Sequence, residues 1–510
     1  MAAAAAGVTG RRVPVAVQPP DRLLVAISDL HFGVGREEQA WHPMEDFRWA
    51  PEFQAFLSQV DRQGGGKTDL VIAGDAFELW QSRMNDCVPV NLDAGCSEDE
   101  ALSRLKTVVS AHEVELKALG RFAATATNRV VFVPGNHDAA LLFPRVASAA
   151  VNATASIAGR VTVEASGYWI SPDKQVLVEH GHQMGKEVNK LRGWPSPFVG
   201  SNPSRLERSW GEQFVQGFYN QYEAKYPIID NVSEEGIGVR YAREVEGWVG
   251  TAKALGRFVQ FYLTNLSLAQ HSEALGNPGS PPEWDLDWAR GQGSRFLRES
   301  VPTDDPLGRA VRLPNAGIEP GLDVFTDDDL KGICDARAQV RQYQEDHRLT
   351  PTIERCRVKD GTLGAVGQAL LRRSRNTIVS TYLTERFQQL KSAGAVAQPF
   401  KTFIYGHTHS ADAGFHPMAE SNPDWNPTVL NTGAWQRTVT PDQLKRLACR
   451  VSANQSVIEL TPEALPACYT AVFVRPGAAV PELRYWTMDA GQQWKFDTTC
   501  QWVPPCPAVP

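Results

Sequence analysis

The apolar positions of this chain fall into two patterns. Residues 23–27, 70–73, 130–133, 175–178 and 402–405 are short, largely apolar runs without polar alternation, the pattern of strands covered on both faces. Between them the apolar residues recur at helical spacing. Phe53, Phe56, Leu57 and Val60 share one face before Gly64-Gly65-Gly66, and Leu102, Leu105, Val109, His112, Leu116 and Leu119 form a second stripe. Residues 428–430, 469–474 and 483–488 read as further strands that close the domain. Strands interleaved with helices predict an α/β architecture. On its apolar stripe, His112 is expected to be a hydrogen-bonded core or edge histidine rather than a ligand.

Each of the five runs stops in polar residues able to bind metal. The endings are Ser28-Asp29-Leu30-His31, Gly74-Asp75, Gly135-Asn136-His137-Asp138, Glu179-His180-Gly181-His182 and Gly406-His407-Thr408-His409. In α/β sheets, functional residues collect at the carboxyl ends of strands. Taken singly, these residues have ordinary explanations: Asp29 and Asp75 as helix caps or turn residues, Asn136 as a turn residue, His407 and His409 as a solvated loop. Those explanations predict no order, whereas the strand-end pattern repeats along the chain.

Asp29, His31, Asp75, Asn136, His180, His407 and His409 offer oxygen and nitrogen donors and no sulfur. That selects ions such as Mn²⁺, Fe²⁺ or Zn²⁺ over a thiolate zinc site. Seven donors exceed what one ion needs if positions stay open for water and substrate, so two divalent ions are expected, Mn²⁺ foremost. Two metals about 3.5–4 Å apart would clamp a phosphoryl group and make a hydroxide nucleophile from bound water. Asp75 is the expected bridging carboxylate. Asp29 with His31, and His407 with His409, would face one cluster if their segments stay extended. His182 stands as an alternative to His180 or as pocket lining, and Glu78 as a structural or supporting carboxylate. His42, His271, His347 and His416 read as surface residues.

The strand rhythm stops between His182 and Phe400. Helical patches at 205–226, 245–266 and 369–390 surround a Pro/Gly/Asp-rich stretch at 276–329. The expected organisation is a loose leader (1–21), a catalytic domain (22–182 and 401–490), a mainly helical cap inserted between (183–400) and a Pro-rich tail (491–510). Arg372, Arg373 and Arg375 read as a solvated face or, more sharply, as contacts to an anionic substrate above the metals. An apolar fraction of 42% with 21% charged residues is that of a globular protein. The net charge of −7 gives no reason to expect an obligate nucleic-acid partner. The eight cysteines are scattered with no C-x-x-C pair, so reduced thiols are expected, with Cys500–Cys506 the one pairing the tail would allow. No secretory signal and no membrane-length apolar run is evident, and a cytoplasmic location is expected.

The five endings, in this order, resemble the five-block pattern of the calcineurin-like metallophosphoesterases over residues 22–182 and 401–490. The resemblance implies a β-sandwich of mixed sheets flanked by helices, with the insertion as a large cap. It implies that Asp29, His31, Asp75 and His409 hold one ion, and that Asp75, Asn136, His180 and His407 hold the other. His137 would then stabilise the transferring phosphoryl group or protonate the leaving oxygen, with Asp138 fixing its orientation. Within that family, Gly74-Asp75-x-Phe77-Glu78-x-Trp80, His180-Gly181 and Gly433-Ala434-Trp435 are similar to the UDP-2,3-diacylglucosamine pyrophosphatases. The chain departs from those enzymes in having His137 where they commonly carry Arg, and in its much longer insertion. The expected activity is hydrolysis of a phosphate ester or pyrophosphate in a phosphorylated small molecule, nucleotide or lipid-linked compound. A nuclease, a cyclic-nucleotide phosphodiesterase and an inactive scaffold on the same fold are the alternatives.

Overall fold

The computed structural model describes residues 22–199 apart from 38–39, 82–86, 88–93 and 185–189, and scattered positions between 205 and 231. It also describes 366–502 apart from 419–423, 440–442, 444–460, 478–479 and 490, giving only the helix path for 366–377. The expected leader, the helical patch at 245–266 and the stretch at 276–329 lie outside the described residues.

In chain order, β1 (Leu23–Ile27) and the hairpin of β2 (Arg36–Glu37) and β3 (Ala40–Trp41) lead to α1 (Ala50–Gly64). β4 (Thr68–Ala73) and β5 (Ala94–Ser97) follow, then α2 (Glu98–Ala111) and α3 (Glu113–Ala124). Next come β6 (Arg129–Val133), α4 (Pro144–Ala153), β7 (Val161–Val163), β8 (Trp169–Ile170) and β9 (Val176–Val178). After β10 (Arg205–Glu207), the next described elements are α5 (Val366–Ser392), β11 (Thr402–Tyr405), β12 (Asp412–Phe415) and β13 (Thr428–Asn431). β14 (Cys468–Val474), β15 (Glu482–Met488) and β16 (Trp494–Asp497) complete the set.

Two mixed sheets carry the ligand-bearing strands. A seven-stranded sheet has the order β16-β15-β14-β1-β4-β6-β7, and a five-stranded sheet the order β12-β13-β11-β9-β8. β1, β4, β6 and β7 run parallel, as do β9, β11 and β13, while β14 turns antiparallel to β1. The period-two geometry of a strand sorts its side chains between two cores. Leu23, Val25 and Ile27 of β1, Leu70 and Ile72 of β4, and Val130 and Phe132 of β6 pack outward with Phe53, Phe56, Leu105 and Leu119 of the helices. The intervening Leu24, Ala26, Val71, Ala73, Val131 and Val133 meet Val176, Val178, Ile404 and Leu430 of the second sheet. The far face of that sheet, including Leu177 and Phe403, is covered by Val379, Leu383, Phe387 and Leu390 of α5. The layers are therefore helix, sheet, sheet and helix, which is why these strands carry no polar alternation.

Several expectations are revised. Residues 205–207, expected to be helical, form β10 and pair antiparallel with β5. Residues 494–497, assigned to the tail, form β16 at the edge of the larger sheet. The cysteines are not all reduced thiols: Cys87 pairs with Cys96 and Cys468 with Cys500, at Cα separations of 4.9 and 5.5 Å. The β14–β15–β16 meander brings Cys500 to the start of β14, so its partner is Cys468 rather than Cys506. These pairs remove the thiol-based argument for a cytoplasmic location. Among the described residues, no helix is long and apolar enough to cross a membrane. His42 is buried rather than on the surface.

The loop before α1 and the junction of α2 with α3 enclose a charged cluster. His112 caps α2, stacks on Phe32 at 4.9 Å, and lies 3.3 Å from Glu45 and 3.6 Å from Glu115. Burial alone would push the imidazole down, but the two carboxylates outweigh it and hold its pKa at about 9. Because the folded value lies above the ordinary 6.5, the stabilisation is complete below that pH. It is lost as the pH rises through about 9. Its size is on the order of 3 kcal/mol. His112→Gln should therefore narrow the difference in melting temperature from wild type as pH rises from 6 toward 10. A difference that stays constant over that range would show that His112 is neutral in the folded protein.

Candidate metal centre

The carboxyl ends of β1, β4 and β6 meet those of β9 and β11, and the chain stays laced together beyond the strands. The amides of Asp29, His31 and Phe32 donate to the carbonyls of Gly74, Asp75 and Ala76 at 3.1, 3.0 and 2.9 Å. Gly406 donates to the carbonyl of His180 at 2.8 Å in the other sheet. Across the sheets, the amide of His407 donates to Asp29 Oδ2 at 3.1 Å.

The ligand segments do not stay extended. Asp29, His31, Asp75, His407 and His409 all have left-handed backbones, with φ of 53°, 48°, 50°, 68° and 55°. Such conformations cost on the order of 1–3 kcal/mol each in non-glycine residues and cluster where a site requires them. Tight turns, rather than alternate residues of a strand sharing a face, aim Asp29 and His31 into one group and send His407 and His409 to different ones. Glycines beside these turns leave room for the donors. A Cβ at Gly135 would overlap the Asp75 carboxylate, and one at Gly74, whose φ is 89°, would overlap the His180 ring.

Among the described residues, three groups of donors have their atoms within 4.8 Å of one another; two are made of expected ligands alone and the third joins His31 to Glu78 and His137. Asp29, His31 and His409 form the first. His409 Nε2 lies 3.3 Å from Asp29 Oδ1, and the Nε2 atoms of His31 and His409 face each other at 3.2 Å. Asp75, His180 and His407 form the second, with His180 Nε2 at 2.8 Å from Asp75 Oδ2 and 2.9 Å from Asn136 Oδ1. Asp75 thus sits with the second group and Asn136 joins it, while the first group forms without Asp75.

The donors suit a cation. His31 Nδ1 donates to Glu78 Oε2 at 2.9 Å and His180 Nδ1 to the Ala73 carbonyl at 2.9 Å, which turns both Nε2 atoms inward. Two imidazole nitrogens at 3.2 Å, or one against two oxygens, repel unless a proton or metal lies between them. Asp29 Oδ1 is buried without a hydrogen-bond partner among the described residues. These groups could hold metal ions.

The electrostatics follow from packing. Burial opposes the charges on Asp29 and Asp75, yet the histidines around them outweigh it and hold both carboxyls well below the usual range. Burial pushes His180 down while Asp75 beside it pulls its pKa up to about 9. His407 has burial and the facing His180 against its charge, and falls to about 3. Burial, joined by the Asp75 charge, raises Asp138 to about 7.

His137 is partly exposed, as are His407 and His409. Its ring stacks on Trp80 at 3.9 Å, and its Nδ1 donates to Glu78 Oε2 at 2.5 Å. Asp138 does not take the expected role of orienting it. Its carboxylate instead accepts from the amides of Gly135, Ala76 and Phe77 at 2.6, 2.8 and 3.3 Å, fastening the third loop to the second. Glu78, read from the sequence only as a supporting carboxylate, is the residue that orients both His31 and His137. Its place three residues after Asp75, on the same loop, was the available signal. Burial opposes its charge, and His137 and His31 together hold its pKa at about 2. His182 is outside both donor groups, buried against Trp194 at 4.4 Å with neither ring nitrogen bonded among the described residues. Arg372, Arg373 and Arg375 fall on α5, but their side chains lie outside the described residues.

In comparisons with known proteins, no family model matches the chain, and no curated protein or solved structure matches it.

Gly135→Ala should weaken Mn²⁺ binding by about 10–100-fold, as disturbing a ligand's support does. Titration of chelator-stripped protein followed by elemental analysis reads the effect, with circular dichroism unchanged. Undiminished binding would place any metal away from Asp75.

Proposed function

We propose that this protein is a dinuclear metal-dependent phosphoesterase of the calcineurin-like type, hydrolysing a phosphate ester or pyrophosphate. The observation that carries the reading is the pair of His/Asp groups at the meeting of two sheets, with the Glu78–His137 pair beside them. In this reading Asp29, His31 and His409 would hold one ion and Asp75, Asn136, His180 and His407 the other. Mn²⁺ suits this oxygen and nitrogen set, as would Fe²⁺ or Zn²⁺. When bound, two such ions supply Lewis acidity toward a phosphoryl group and acidify a bound water.

The chain's own residues do the rest. Glu78 accepts the Nδ1 proton of His137 and so leaves Nε2 as the nitrogen available to substrate. Trp80 fixes the ring plane by stacking. His137 is therefore equipped to bind a phosphoryl oxygen and to pass a proton from Nε2 to the departing alkoxide. Asp138 holds the Asn136–His137 turn against the Asp75 loop, so the proton donor and the ligands keep a fixed spacing.

Mn²⁺-loaded protein should hydrolyse p-nitrophenyl phosphate or its bis ester, and a chelator should abolish the activity. His137→Gln should lower kcat by about 10²–10⁴-fold while metal content is retained. The loss should be larger for alkyl esters than for p-nitrophenyl esters, whose leaving group needs no proton. Inactivity of loaded wild-type protein on mono-, di- and pyrophosphate esters, cyclic nucleotides and single-stranded DNA alike would refute the reading.

A further inference from the structure

His31, Glu78 and His137 each offer a donor atom within 4.8 Å of the other two, and Glu78 and His137 belong to neither ligand group. The Nδ1 atoms of both histidines approach one carboxylate oxygen, Glu78 Oε2, at 2.9 and 2.5 Å. Their rings meet edge to face with centroids 4.8 Å apart. The carboxylate is held from behind. Its Oε1 accepts from the Trp80 amide at 2.7 Å, and the Glu78 amide donates to the Phe32 carbonyl at 2.9 Å. Oε2 is thereby left to the two imidazoles. His31 and Glu78 are buried, while the partly exposed His137 gives the group a way in from solvent.

A divalent ion placed among these atoms would take the positions now shared by the two Nδ1 protons. Two imidazole nitrogens and one carboxylate oxygen suit Zn²⁺ better than Mn²⁺, and three protein donors leave a fourth position open. Tetrahedral zinc sets its donors about 3.4 Å apart, so the two contacts to Oε2 would have to widen by less than about 1 Å. The exposed His137 ring can supply most of that movement. His31 sets a limit on affinity, because its Nε2 faces His409 Nε2 at 3.2 Å in the first ligand group. One ring would then serve two ions, having lost both of its ring protons. The third position should accordingly be the weakest and fill last.

We propose that His31, Glu78 and His137 form a third divalent-ion site, selective for Zn²⁺, which inhibits the enzyme by detaching His137 from Glu78. An ion on Nδ1 replaces the contact that orients the ring, so Nε2 no longer meets the leaving oxygen. The inference rests on the phosphoesterase reading and adds a mode of regulation to the same site.

The test uses the full chain, stripped by chelator, reloaded with two equivalents of Mn²⁺ and dialysed to equilibrium against increasing Zn²⁺. Elemental analysis should find one zinc added per chain with both manganese ions kept. His137→Gln should hold its manganese, with an unchanged circular dichroism spectrum. Its affinity for the added zinc should fall by about 100-fold or more, beyond the loss of a supporting contact. Hydrolysis of an alkyl phosphate by wild type should fall by about 10²-fold or more as the zinc binds. The residual activity of His137→Gln should not respond. Manganese released as zinc enters would overturn the proposal, since zinc would then only compete for the pair. Equal zinc uptake by His137→Gln would mean an adventitious ion only. Hydrolysis undiminished by zinc would sink the inhibitory site and leave the phosphoesterase reading intact. A third zinc dependent on His137, in a chain that hydrolyses no ester, would do the reverse.

Discussion

Taking Asp29, Asp75, Glu78 and Asp138 out of water at the junction of two sheets is tolerable only when each negative charge is answered at close range. Histidines from three other strand ends answer Asp29, Asp75 and Glu78, and backbone amides answer Asp138. That balance governs much of the rest. It requires the ends of β1, β4 and β6 to stay beside those of β9 and β11, which in turn requires an apolar seam between the sheets. It also tolerates left-handed turns that isolated loops would avoid. The same charges that would destabilise an ordinary core form groups that could hold metal ions.

How much of this was legible depended on range. The strands were, because burial on both faces leaves a continuous apolar run that local sequence displays. The donor groups were legible as a set, because each follows its strand within a few residues. Local sequence could not show that Asp29 and His31 converge through left-handed turns, since an alternate-residue pair looks the same whether extended or coiled. Nor could it assign Glu78 to His137, because Asp138 lies next to that histidine in sequence and only the packing of two loops favours the other carboxylate. The pairing of 205–207 with β5, and of Cys468 with Cys500, depends on segments far apart in the chain. The larger part of the insertion offers no strand rhythm from which such pairings could be inferred.

The second sheet is more than a lid on the first. Glu179, immediately before His180, accepts from Arg386 Nε at 2.5 Å and from the Tyr382 hydroxyl, both on α5. Arg386 also lies over the Tyr168 ring at 4.9 Å. The helix that closes the insertion is thus tied by buried polar contacts to the residue adjoining a candidate ligand. Packing of α5 and aim of His180 are set together.

The bond between Cys468 and Cys500 has a consequence for colloidal behaviour. β16 is the last strand of its sheet, and an open strand edge invites another chain to add to it. Joining the stretch after β16 back to the start of β14 closes a loop of 32 residues, a restraint worth about 3–4 kcal/mol in chain-entropy terms. The crosslink thereby resists peeling of the terminal ribbon. A reducing medium would remove that restraint from the ribbon at the open edge of the larger sheet.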